Sequence, residues 1–172
     1  MRRLLLILLP LCLAACGWHL RGPVVLHNLP AVVLSGGSNA LRYPLMRSLA
    51  ESGVVVSDSA AITLRLLGES WNQRTVAVDT QGRVAAVELS YLLRWQLLRD
   101  GKPLTPVRTI SLISNVNQDP INATAASDEL ELSQNSMRQD AIWQLQRQLQ
   151  SLSEHQDLSQ PPASAPAHAS PN

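Results

Sequence analysis

Few residues in this chain could carry chemistry. It holds two cysteines, Cys12 and Cys16, and four histidines, His19, His27, His155 and His168. The histidines lie towards the two ends, outside every segment with core-forming periodicity, so none is held rigidly enough to act as a general base. No CxxC pair, HExxH or glycine-rich phosphate loop occurs. Carboxylates such as Glu88 and Asp140 read as ordinary surface charge. The pattern argues against an enzyme, a metal centre and a bound cofactor. It leaves one reactive group with a meaningful position, the thiol of Cys16, directly after the small residues Ala14-Ala15.

The segment before Cys16 explains that position. Met1-Arg2-Arg3 is basic, and residues 4–13 carry no charge. An apolar run this short falls well below the roughly 20 residues of a permanent transmembrane helix and reads as a signal peptide. Its end, Leu13-Ala14-Ala15-Cys16, resembles the lipobox of bacterial lipoproteins. That resemblance implies that the Cys16 thiol takes a diacylglyceryl group, that residues 1–15 are cut away, and that the new amino terminus is acylated. Several acyl chains suffice for stable anchoring, at about 0.8 kcal/mol per buried CH₂. Gly17 stands where lipoproteins kept at the inner membrane typically carry aspartate, which points to the outer membrane.

Removing Arg2 and Arg3 with the leader takes the 14 basic residues to 12, against 13 acidic ones. No charge excess remains to bind nucleic acid. Cys12 leaves with the leader and Cys16 is consumed by lipid, so no disulfide is available and stability must come from packing. Residues 16–30 form a linker, 31–152 a single domain long enough to bury a core, and 153–172 a Pro/Ala/Ser-rich tail too poor in apolar surface to order.

Within the domain, Ala31 to Ser35 reads as a first strand ended by Gly36-Gly37. A short helix follows, with Pro44 where it can start, Leu45 and Leu49 on one face, and Gly53 where it stops. Ile62, Leu64 and Leu66 alternate with polar residues in a second strand that continues to about Asp79. Val87, Leu89, Tyr91, Leu93, Trp95 and Leu97 share one face of a long third strand, Trp95 with them in the core. Asp100-Gly101 signals a hairpin, whose partner strand runs from Arg108 to Val116. A last helix is capped by Ser127, and Met137, Ala141, Ile142, Leu145, Leu149 and Leu152 form its apolar stripe. Arg138 falls inside that stripe, a flaw unless its head escapes or pairs. The order β-α-β-β-β-α predicts a two-layer α/β sandwich, two helices on one face of a mostly antiparallel four-stranded sheet.

The opening Cys16-Gly17-Trp18-His19-Leu20-Arg21-Gly22, the closing helix from Ser136 to Leu145 and this element order together resemble the LPS-assembly lipoprotein family, LptE. The resemblance implies an outer-membrane lipoprotein, on the periplasmic side, that plugs the large β-barrel LptD, acts as its assembly partner and helps deliver lipopolysaccharide to the outer leaflet. It also implies contact with lipopolysaccharide itself, for which Arg83, beside the turn at Thr80 to Gly82, and Arg108 are the best-placed phosphate contacts. Basic residues are otherwise sparse in the turns.

Two tryptophans stand out as partner contacts. Trp143 lies opposite the centre of the apolar stripe, facing either a partner or a covering loop. Trp18 lies close to the lipid, where its ring rests at the bilayer interface or docks into the barrel wall. The alternative to a plug is a free-standing, periplasm-facing lipoprotein that binds an amphipathic ligand alone.

Overall fold

The computed structural model describes residues 31–155 together with Leu26 and Leu29. The signal peptide, Cys16, Trp18 and residues 156–172 lie outside the described residues. The elements are β1 (Ala31–Gly36), α1 (Asn39–Glu51), β2 (Val55–Val56), β3 (Ile62–Val78), β4 (Val84–Arg99), β5 (Lys102–Pro103), β6 (Arg108–Asn117) and α2 (Ala123–His155).

The α/β class and the two helices stand, but the sheet is larger and mixed. It has six strands in the order β2-β1-β3-β4, with β5 and β6 both against the far side of β4. β1 runs parallel to β2 and to β3, and only the β3, β4, β5 and β6 pairings are antiparallel. The reason is the crossover: α1 carries the chain back along the sheet, so β3 starts at the same end as β1. β1 stops at Gly36, whose φ of +78° suits glycine, and where an added Cβ would collide with the Leu66 carbonyl oxygen.

Asp100 and Gly101 both have positive φ, the geometry a two-residue hairpin needs. Their immediate partner is the two-residue β5. Pro103 and Pro106 cannot extend a ladder, so the chain loops out, and Thr105 Oγ1 accepts from the Leu97 N–H at 3.1 Å in its place. β6 then returns with Arg108 opposite Trp95.

Two helix starts also differ from the sequence reading. α1 begins before Pro44, because Ser38 caps it by accepting from the Leu41 N–H at 3.3 Å. α2 begins at Ala123 with Asn122 Oδ1 accepting from the Ala125 N–H at 3.1 Å. Ser127 instead donates to the Ala123 carbonyl, one turn back. α2 continues to His155 with Ser153 buried, three residues into the stretch read as tail.

One core joins the layers. Val87, Leu89, Tyr91, Leu93, Trp95 and Leu97 are all buried, as period two required, and pack with Leu41, Leu45 and Leu49 of α1 and Met137, Ala141, Ile142, Leu145 and Leu149 of α2. Among the described residues, the opposite face of the sheet carries no helix. Residues 123–136 of α2 include no buried residue.

Candidate functional site

α1 and α2 lie side by side, and the groove between their outer surfaces holds the exposed aromatic side chains. Tyr43, Pro44, Arg47 and Glu51 from α1 face Gln139 and Trp143 from α2 across about 560 Å³. Tyr43 is 67% and Trp143 37% exposed. Arg47 Nε pairs with Glu51 Oε1 at 3.1 Å on the rim, an exposed pair that contributes little to stability. Pro44, inside α1, denies the Ala40 carbonyl its helical donor.

The groove keeps its shape through Gln146, one turn beyond Trp143. Its buried Nε2 donates to the Ser48 carbonyl at 2.9 Å and to Ser52 Oγ at 2.8 Å. This amide sits among the apolar residues of the stripe and was not singled out from sequence, because a lone glutamine gives no periodic signal.

A second group ties the layers together under the groove. Tyr91 donates to Glu69 Oε2 at 2.9 Å, and Glu69 Oε1 accepts from the N–H of Ser38 at the start of α1 at 3.3 Å. Arg138 Nε lies 3.8 Å from Glu69 Oε2, a pairing of charges too long for a hydrogen bond. The guanidinium also stands 5.0 Å over the Trp71 ring, and Trp71 packs on Tyr91 with centroids 4.3 Å apart. The irregular place of Arg138 in the stripe is thus resolved: its head pairs with a carboxylate and an indole. Burial first, and then the Glu69 charge, push the Tyr91 hydroxyl well above the ordinary tyrosine range.

Arg83 and Arg108 are not brought together. Arg83 immediately precedes β4 and Arg108 pairs with Trp95, twelve residues further along the chain, a separation of roughly 40 Å. Arg83 borders a cleft of about 340 Å³ whose apolar part comes from Val84, Ala126 and Leu130. Its guanidinium is engaged by Asp79, with Nε donating to Oδ2 at 2.7 Å. The Arg83 and Gln81 N–H groups also bond Asp79 Oδ1. The Asp79 carboxyl is held below its usual value, first by the Arg83 backbone N–H. Arg108 is half-buried, its guanidinium 6.0 Å from the Trp95 ring centroid and its Nε without a hydrogen-bond partner. It packs as part of the fold, while the Arg83 side chain is exposed and paired with Asp79.

Among the described residues no cluster of three His, Cys, Asp or Glu could hold a metal, and no helix is long and apolar enough to cross a membrane.

A family model described as LptE, lipopolysaccharide-assembly, matches residues 30–149. The chain is 30% identical over 154 residues to the LPS-assembly lipoprotein LptE of Pectobacterium atrosepticum, covering 84% of this chain and 82% of that one. It is 31% identical to the protein of the same name from Yersinia pestis, over 85% of this chain and 73% of that one. Among solved structures, rare lipoprotein B of Shewanella oneidensis superposes with a TM-score of 0.64 at 25% identity, covering 73% of this chain and 97% of that one. A lipoprotein B of Nitrosomonas europaea has the same fold, with a TM-score of 0.65 at 21% identity, over 80% and 93% of the two chains.

Proposed function

The chain belongs to the LptE family of lipopolysaccharide-assembly proteins, and from that premise we propose that it is the lipid-anchored plug and assembly partner of an LptD-type outer-membrane barrel. The relatives' shared name, LPS-assembly lipoprotein, carries this reading. The lipobox-like sequence at Cys16 supports an anchor there, and Gly17 supports the outer membrane as its destination, with the domain on the periplasmic side.

The exposed aromatics of the α1–α2 groove suit a protein surface: an indole and a phenol ring lining one groove, rimmed by charge, are the residue types that dominate interface energetics. We assign Trp143 and Tyr43 to contact with the barrel, and Trp18 to the same partner or to the bilayer interface. The cleft at Arg83 is the better place for lipopolysaccharide, with an apolar wall for acyl chains and a guanidinium for phosphate.

Extraction of the full lipidated chain in mild detergent tests the reading. The expected result is co-purification of a large β-barrel in about equal amount, together with an intact mass that begins at Cys16 and includes acyl groups. A chain that comes out alone with an amphipathic ligand would instead be the free-standing lipoprotein.

A further inference from the structure

The two sides of the sheet are guarded differently. Beyond the end of β1, the free edge of β3 is broken by register shifts at Leu66/Gly68, Thr75/Ala77 and Ala77/Val78, and it carries Arg74. β6 runs against β4 over ten residues without a shift. From Thr109 to Asn117 it holds no charge, proline or glycine, and among the described residues no strand pairs with its outer edge. Bulges, charge and proline are what ordinarily keep a free edge from pairing, and β6 beyond Arg108 at its first position has none of them. At its centre Ile113 is 67% exposed on the face without helices.

We propose that the outer edge of β6 receives an extended, uncharged segment of the barrel polypeptide, added to the sheet as a further strand. This rests on the plug reading for the identity of the partner; the openness of the edge does not.

Other occupants fit poorly. A second copy paired through its own β6 would bring in its own α2, and α2 already lies over β6, with Ser133 Oγ 3.3 Å from Ser114 Oγ. Two such helices would stand about one strand spacing apart, roughly 5 Å, against the 8–10 Å that packed helices need. The chain's own C-terminal stretch contains Pro161, Pro162, Pro166 and Pro171, which cannot complete a ladder. The segment before β1 enters through Leu26, whose N–H bonds the Ser52 carbonyl. That contact is at the end of α1, next to β2, on the opposite side of the sheet. A bare strand meets none of these obstacles.

The pattern of β6 describes the strand it fits. On the helix side Ile110 and Val116 are buried and Leu112 half-buried, so alternate residues of the incoming segment must be apolar. On the other side Ser111, Ile113 and Asn115 favour small polar or β-branched neighbours and offer no counter-charge.

Amide hydrogen exchange resolved to single residues, on the full lipidated chain with and without the co-purified barrel, tests the proposal. In the chain alone, every second N–H from Thr109 to Asn117 faces solvent and exchanges fast. In the complex those alternate positions should slow at least a hundredfold. Ile113→Lys, at an exposed position that leaves the core intact, should weaken recovery of the barrel about tenfold. Unchanged β6 exchange in a complex that does form would overturn this inference and leave the plug reading standing, whereas loss of co-purification would count against the plug reading itself. Self-association of the chain that slows the same amides without the barrel would assign the edge to a second copy and also overturn the proposal.

Discussion

Gln146 and Ser52, 94 residues apart in sequence, meet at 2.8 Å, and through that contact α2 closes the last turn of α1. Ser52 Oγ in turn donates to the Ser48 carbonyl at 2.9 Å, and the same carbonyl accepts from Gln146. Replacing Gln146 with leucine keeps much of the volume and leaves both oxygens buried with one donor fewer. Stability should fall by about 1–3 kcal/mol, the cost of stranding a buried polar group, while Arg147→Ala on the exposed side should stay within about 0.5 kcal/mol. Urea unfolding followed by circular dichroism measures both.

Trp143 and Leu145 lie two residues apart and should separate interface from core. Trp143→Ala should cost the unbound protein about 1 kcal/mol and weaken the barrel complex by about 2 kcal/mol, the usual size of a hot-spot truncation. Leu145→Ala, fully buried, should cost the fold about 2–5 kcal/mol through lost burial and a cavity. Equal destabilisation by the two variants would make Trp143 a packing residue and remove the groove as an interface.

Alkaline unfolding should report on Tyr91. Its hydroxyl titrates higher in the folded protein than in the unfolded chain, so the folded state holds the proton that the unfolded state releases. The stability from this group is fully present below about pH 10, the unfolded tyrosine value. It is then lost with a slope of about 1.4 kcal/mol per pH unit as pH rises towards the folded value. Tyr91→Phe should flatten that part of the curve. A wild-type curve that is already flat from pH 9 to 11 would contradict the placement of Tyr91 against Glu69.

The two arginines should behave differently. Arg83→Glu should reduce lipopolysaccharide binding at least severalfold without unfolding the protein, since the side chain is exposed and its ion pair is with Asp79 of its own turn. Asp79→Asn should raise binding by releasing the guanidinium. Arg108→Ala should leave binding unchanged and lower stability by about 1 kcal/mol, because its contact with Trp95 is partly buried. Binding of labelled lipopolysaccharide, read beside the unfolding midpoint, distinguishes these outcomes.

Local pattern made the core legible and left the cross-layer contacts hidden. The alternating face of β4 and the stripe on α2 are repeated signals that many residues write together, and each residue they named is at least partly buried. β2 and β5 are two residues long, too short to set a period, and the parallel β1–β3 pairing depends on where α1 delivers the chain. The helix starts differ for a related reason: Pro44 and Ser127 are of types favoured near helix starts, whereas the caps are Ser38 and Asn122. Glu69 and Arg138 meet only because β3 and α2 cross. Arg138 was the sole sequence clue, visible as a misfit in its stripe. For the site, Trp143 could be placed from helical spacing alone, whereas its neighbours Tyr43 and Arg47 belong to another helix and become a groove only after packing.

The unequal lengths of the two helices have a consequence for how the molecule opens. α1 spans about 20 Å and α2 about 50 Å, while β3 runs roughly 55 Å. Past the Glu69–Arg138 contact, the described residues roof the sheet with the amino-terminal half of α2 alone, and in that half no side chain is fully buried, Leu130 packing against the core only in part. Segments with so little burial open at low free energy without the rest of the domain. Residues 123–136 should fray as a separate unit, lifting the roof over the Arg83 cleft while Gln146 holds the other half shut. The cleft can then admit a ligand larger than its resting volume, because the wall that limits it has few buried contacts to break.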